Sequence, residues 1–177
     1  ERCGLDSGDL PLVGTGERLS AGTFAKYRSE RRLVAVPEGT MPMEKTVDLA
    51  LKESFCLIGS DGGIEYAAHA NSHPRGAGCF ATALRHGQDI GIPLENLLYK
   101  MTEGARNLLR PVLKERGSLA VGAFADLVVF DPQGIKGVAT VANPNQYSTG
   151  IDMVIVNGRM SYRNGKLTEQ SGRPVRY

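Results

Sequence analysis

Two Asn-Gly dipeptides, Asn157-Gly158 and Asn164-Gly165, punctuate short runs of apolar and β-prone residues in the last part of the chain. A two-residue hairpin loop needs positive φ at both central positions, and Asn-Gly meets that need at least cost. The flanking runs Ile151–Val156, Arg159–Tyr162 and Lys166–Thr168 are therefore expected as consecutive antiparallel strands, a β-meander. The run SLAVGAFADLVVFDP, Ser118 to Pro132, alternates and then becomes continuously apolar, which is a strand pattern leading into the meander. Before Gly117 the period is mostly that of helices. The change predicts an α/β chain divided into residues 1–116 and 117–177.

In the first part, Gly, Asp and Ser dominate residues 1–16, which read as loop, with Asp6, Ser7 and Asp9 as turn formers. Ser20 is placed to cap a short helix over Leu19–Arg28 that turns Phe24 and Tyr27 to one side. Leu33–Val36 reads as a strand with Glu38 and Thr40 just beyond its tip. Met43–Lys52 reads as a helix, with Met43, Val47, Ala50, Leu51 and Ser54 on one face. Phe55–Ile58 reads as a second buried strand, which would make a right-handed βαβ unit with parallel strands. Further helices are expected over Gly78–His86 with Phe80, Ala81 and Leu84 inward and Gly87 as C-cap. Another is expected from Pro93, with an apolar face of Leu94, Leu97, Leu98 and Met101. A last one covers Glu103–Leu109, capped by Thr102 and ended by Pro111.

The residues with chemical potential gather between Phe55 and Gly76. The apolar run ends at Gly59-Ser60-Asp61-Gly62-Gly63, which puts a carboxylate among glycines where a backbone can turn and a ligand can approach. A loop with His69, His73 and Arg75 follows. In α/β folds ligands bind at the C-terminal ends of strands. Asp61 is thus either a proton-transferring or metal-binding acid or a turn cap. Arg75 is either a bidentate anchor for a carboxylate or a member of a surface ion pair. His73 precedes Pro74, is held extended, and more naturally shapes the loop than binds a metal. His69 and His73 are separated by loop-forming residues and do not make a helical metal pair.

The totals narrow the partners. Hydrophobic residues make up 41% and charged residues 23%, as in a globular domain, and a net charge of +2 without basic runs argues against nucleic acid. No apolar run approaches the ~20 residues of a membrane span, and no signal peptide is visible, so the expected location is the cytoplasm. Three widely spaced cysteines form neither a disulfide framework nor a zinc ribbon. The first residue is Glu1 rather than Met, which suggests a fragment, a processed chain or an edited one.

Ser60-Asp61-Gly62 followed by His73-Pro74-Arg75-Gly76 resembles the amidohydrolase superfamily, in particular its D-aminoacylase (N-acyl-D-amino-acid deacylase) branch. Arg116–Pro132 resembles the passage by which such enzymes leave the barrel for a small β-domain, and Val154–Leu167 resembles the closing hairpin of that domain. The resemblance implies the C-terminal part of a (β/α)8 barrel over residues 1–116 and strands of a β-sandwich over 117–177. It implies a metal-bound hydroxide that attacks an amide, with Asp61 as catalytic proton carrier and metal ligand. Arg75, with Gly62 and His73, would bind the substrate, a small molecule with an amide and a carboxylate. The implied cofactor is zinc, one or two ions. The His-x-His pair and the other histidine ligands of the superfamily have no counterpart here, so most ligands and the N-terminal part of the barrel would lie outside this chain. A cyclic amidase of the hydantoinase or dihydroorotase type, or an inactive assembly or binding module, are the alternatives. Association of like chains is a further expectation.

Overall fold

The computed structural model describes residues 5–35, 43–63, 73–110, 112–113 and 115–175. Glu38, Thr40, His69 and Pro111, named above, lie outside the described residues. The chain divides into two compact units. One is Glu1–Ala50, Ser60–Cys79 and Gly137–Ser148; the other is Leu51–Gly59, Phe80–Lys136 and Thr149–Tyr177.

In the first unit the Gly-rich start is a capped turn. Asp6 accepts a hydrogen bond from the Gly8 N–H at 2.6 Å, and Asp9 accepts from the Asp6 N–H at 2.9 Å. Leu12, Val13, Leu19 and Ala35 are buried. Their backbones are tied by single contacts, Val13 N–H to Leu33 O at 3.0 Å and Ala35 N–H to Pro11 O at 3.0 Å. Leu12 faces Val34 in an isolated antiparallel bridge, so the described part of Leu33–Val36 does not grow into the expected strand. Helix α1 (Ala21–Ser29) starts as predicted at Ser20, which exchanges a reciprocal capping box with Thr23.

Helix α2 (Met43–Lys52) has the expected bounds. Of its expected inner face Leu51 is buried, whereas Val47 and Ala50 are exposed. The second unit is built on helices α3 (Arg75–Asp89, whose first turn belongs to the first unit), α4 (Leu94–Met101) and α5 (Glu103–Leu108) and on a four-stranded sheet. Ala81, Leu84, Leu97 and Ile135 form its core, with Ile92, Leu94, Leu98, Met101, Phe130 and Ile151 packed around them. Phe80, expected inward, is 45% exposed. Gly87 is not the C-cap. It lies inside α3, where an added Cβ would come within 2.7 Å of Leu97 Cδ1. The cap is Gly91, at φ +82°; its N–H reaches Gln88 O and the Ile92 N–H reaches Gly87 O, the paired bonds of a Schellman motif. Pro93 precedes α4 rather than occupying its first turn. Thr102 stands before α5 but does not cap it; its hydroxyl donates to Leu98 O at 2.7 Å.

The sheet is the predicted meander: β1 (Leu127–Phe130), β2 (Ile151–Val156), β3 (Arg159–Arg163) and β4 (Lys166–Leu167), antiparallel in sequence order. Both Asn-Gly turns have the required positive φ, 50° and 77° at Asn157-Gly158 and 48° and 83° at Asn164-Gly165. The preceding run is strand only from Leu127. Before that the chain folds back on itself. The Phe124 N–H reaches Glu115 O at 2.8 Å, and the Arg116 guanidinium lies 4.2 Å above the Phe124 ring and pairs with Asp126.

Phe55–Ile58 is not a strand, so the expected βαβ unit is absent among the described residues. Part of its backbone is met by α4 instead. The Ile58 N–H donates to Lys100 O at 3.2 Å, and the Lys100 ammonium donates to the carbonyls of Glu53 and Cys56. Lys100 of α4 thus meets one N–H and one carbonyl of the run, and no strand pairs with it among the described residues. Among the described residues no helix is long and apolar enough to cross a membrane.

Candidate functional site

The two halves of the sequence motif meet backbone to backbone. A Cβ on Gly62 would fall 2.6 Å from Gly76 Cα, and one on Gly76 would fall 2.7 Å from Gly63 O. Only glycine permits that approach at both positions. This contact sets Ser60-Asp61-Gly62-Gly63 against the first turn of α3, the turn that begins at Arg75. Asp61 adopts φ +45°, a left-handed conformation that Asp tolerates better than most residues. The Ser60 hydroxyl accepts the Gly62 N–H at 3.2 Å and steadies the bend.

The bend delivers the Asp61 carboxylate to Arg75, with Nη2 to Oδ2 at 2.9 Å. The acid and the guanidinium singled out from sequence thus form one ion pair, with side chains 89% and 47% exposed. A pair this open to water contributes at most about 1 kcal/mol. A free carboxylate can therefore displace Asp61 from the guanidinium at small cost, and the released acid is then free to accept a proton. Asp61 is not at the tip of a strand, contrary to expectation. Its position beside Arg75 comes from the contact between Gly62 and Gly76.

His73 shapes the loop, as its place before Pro74 suggests. Its Nδ1 accepts the Arg75 N–H at 3.2 Å, and the His73 and Pro74 carbonyls accept the next N–H groups of the α3 start. An accepting Nδ1 must be unprotonated. Partial burial, and then the Arg75 charge, push the His73 pKa below its usual 6.5. Burial pushes the Cys79 thiol up, against an opposing pull from Arg75.

The His73 shift has a definite sign. The unfolded chain takes up the proton first, so the stability that His73 contributes is complete above its unfolded pKa and is lost as pH falls below 6.5. The wild type is expected to lose more thermal stability than His73→Asn between about pH 7 and pH 5. Melts that fall in parallel would show that His73 is not the group responsible.

Among the described residues no three His, Cys, Asp or Glu side chains stand together in a way that could hold a metal ion. Asp61 offers one carboxylate, and these residues do not by themselves fit a metal centre. One participant is not legible as such in the sequence: Gly76 is visible there only as the end of the His-Pro-Arg-Gly run.

Comparison with known proteins places this geometry in a wider context. The model of the amidohydrolase family matches residues 55–162. The chain is similar to a D-aminoacylase of Alcaligenes xylosoxydans xylosoxydans, 40% identical over 116 residues, which is 64% of this chain and 23% of the relative. It is similar to an N-acyl-D-glutamate deacylase of the same organism, 35% identical over 135 residues, 75% of this chain and 27% of the relative. Among solved structures, the N-acyl-D-glutamate deacylase of Bordetella bronchiseptica, complexed with zinc and a phosphonate inhibitor, superposes with a TM-score of 0.69 at 28% identity. It covers 96% of this chain and 38% of that one. The chain spans about a quarter of the length of these curated relatives. The matched stretch takes in Asp61, Gly62, His73, Arg75, β1, β2 and most of β3 and is more than half of the sequence, so the chain belongs to the amidohydrolase family.

Proposed function

We propose that this chain is the C-terminal part of a metal-dependent hydrolase of non-peptide C–N bonds, and that the reaction is deacylation of N-acyl-D-amino acids. In this reading residues up to 116 complete a (β/α)8 barrel with an N-terminal part supplied from outside this chain, and residues 117–177 contribute to a β-sandwich. The observation that carries the proposal is the 2.9 Å pairing of Asp61 with Arg75 across two glycine-lined backbones. The similarity of the same stretch to D-aminoacylase supports it. Arg75 binds the substrate carboxylate with its planar fork, at the edge of a site lined by Gly62 and His73. Asp61, released from the pair, accepts a proton and returns it to the leaving amine. Zinc is the metal we propose, with support from the zinc-complexed deacylase. Its site needs ligands beyond those described here.

The test is hydrolysis of N-acyl-D-amino acids by the complete enzyme and by its Arg75→Lys variant. Lysine keeps the charge and loses the bidentate fork. KM for carboxylate-bearing substrates is expected to rise by about tenfold, the scale of one lost charge-assisted hydrogen bond. Turnover of neutral cyclic amides should change little. An unaltered KM for N-acyl-D-amino acids would remove the anchor role from Arg75 and favour a cyclic amide as substrate.

A further inference from the structure

The two Asn-Gly turns have the same dipeptide and nearly the same φ angles. Their surroundings, all within the second unit, are different. At Asn157 both ends of the side-chain amide are held. Its Oδ1 accepts from Arg116 Nη2 at 2.7 Å, and its Nδ2 donates to Ser171 O. The Arg116 guanidinium is itself fixed by its pair with Asp126. The turn backbone is held too. The Asn157 N–H donates to Asp126 Oδ1 at 2.7 Å, and the Gly158 N–H donates to Ala125 O at 2.9 Å. At the second turn both residues are exposed. The Asn164 N–H reaches Asp152 O at 3.0 Å, but among the described residues neither the Asn164 side-chain amide nor the Gly165 N–H has a hydrogen-bond partner.

Asparagine before glycine has a reaction of its own, because glycine offers an unhindered backbone nitrogen to the side-chain carbonyl. The nitrogen of Gly165 bonds to Asn164 Cγ, and the side-chain nitrogen leaves as ammonia with the proton from the Gly165 N–H. Water then opens the five-membered imide at either carbonyl, which leaves aspartate or isoaspartate. At Asn157 the nucleophilic nitrogen is engaged with Ala125 and the carbonyl with Arg116, so neither is free to approach the other. We propose that Asn164-Gly165 is a site of spontaneous deamidation and isoaspartate formation, and that the Arg116 clamp protects Asn157-Gly158 from the same chemistry. A β-sandwich completed around this sheet would cover its faces and leave hairpin loops at its ends, so the turn after β3 stays open to water. The outcome there is a negative charge between Arg163 and Lys166 or, as isoaspartate, one extra backbone carbon in a two-residue turn. The turn carries β4, which is only Lys166–Leu167.

The experiment ages the complete enzyme in mildly alkaline buffer and follows both turns by peptide mapping and by isoaspartyl methyltransferase labelling. Freeing Asn157 means breaking a hydrogen bond to a charged group, so Asn164 should react at least about tenfold faster than Asn157. In denaturant the two sites should react at nearly equal rates. Asn164→Gly keeps a residue suited to positive φ and should abolish most of the isoaspartate signal. Arg116→Gln should speed the reaction at Asn157 alone; if that variant does not fold, the comparison of folded with denatured wild type carries the test. Equal rates in the folded enzyme, a preference for Asn164 that persists in denaturant, an unchanged Asn157 rate in folded Arg116→Gln, or an Asn164 that reacts only in denaturant would each overturn the proposal.

Discussion

Leu97→Ala is expected to lower the stability of the chain by about 2–5 kcal/mol, the range found when a fully buried leucine is truncated. Leu97 is 0% exposed and shares the core of the second unit with Ala81, Leu84 and Ile135. The upper part of the range is favoured by what lies opposite. Leu97 fills the notch that Gly87 leaves in α3, so its removal opens a void against bare helix backbone, which cannot collapse as a side chain would. Gly87→Ala alone should also destabilise, because its methyl would press on Leu97. In the double variant the new methyl takes part of the vacated space, and the two losses should sum to more than the pair costs together. Urea midpoints at constant m-value measure all three. A loss below about 1 kcal/mol in Leu97→Ala would mean that the core rearranges freely around this position.

The same residues show where sequence was informative. Local signals carried the meander, because Asn-Gly turns and alternating runs need only neighbours along the chain. They also carried α1, whose Ser20 cap interacts with Thr23. The failures were non-local. Phe55–Ile58 has the composition of a buried strand, but no strand pairs with it among the described residues, and the distant Lys100 takes two of its backbone groups. Gly87 looked like a cap because glycine ends helices. Its actual reason is the passage of Leu97, and that depends on how α3 and α4 cross. At the candidate site, residue types and order pointed to Asp61 and Arg75. That Arg75 pairs with Asp61 itself rests on the contact between Gly62 and Gly76, which no spacing rule encodes.

Asp61→Asn is expected to lower kcat of the complete enzyme by about 10²–10⁴-fold, the scale of a lost general acid–base group, while KM for N-acyl-D-amino acids changes little. The substitution suits the question because asparagine matches aspartate in shape. It is also among the few residues that accept the φ of +45° found here, so the bend between Ser60 and Gly62 should survive. The amide oxygen can still accept from Arg75, although without charge. The guanidinium is then held less firmly and is, if anything, freer to take the substrate carboxylate. Binding is therefore preserved or strengthened, and the loss falls on proton transfer, which an amide cannot perform. Asp61→Ala is the contrasting case. It removes the acid and also places a residue ill suited to positive φ at the bend, so it should lower both kcat and thermal stability. Read beside Arg75→Lys, the pair divides the site by kinetic constant, with the acid governing kcat and the guanidinium governing KM. Near-normal kcat in Asp61→Asn would leave the ion pair with Arg75 as a surface contact of at most about 1 kcal/mol, and the chemistry assigned to this bend would have to be sought elsewhere in the enzyme.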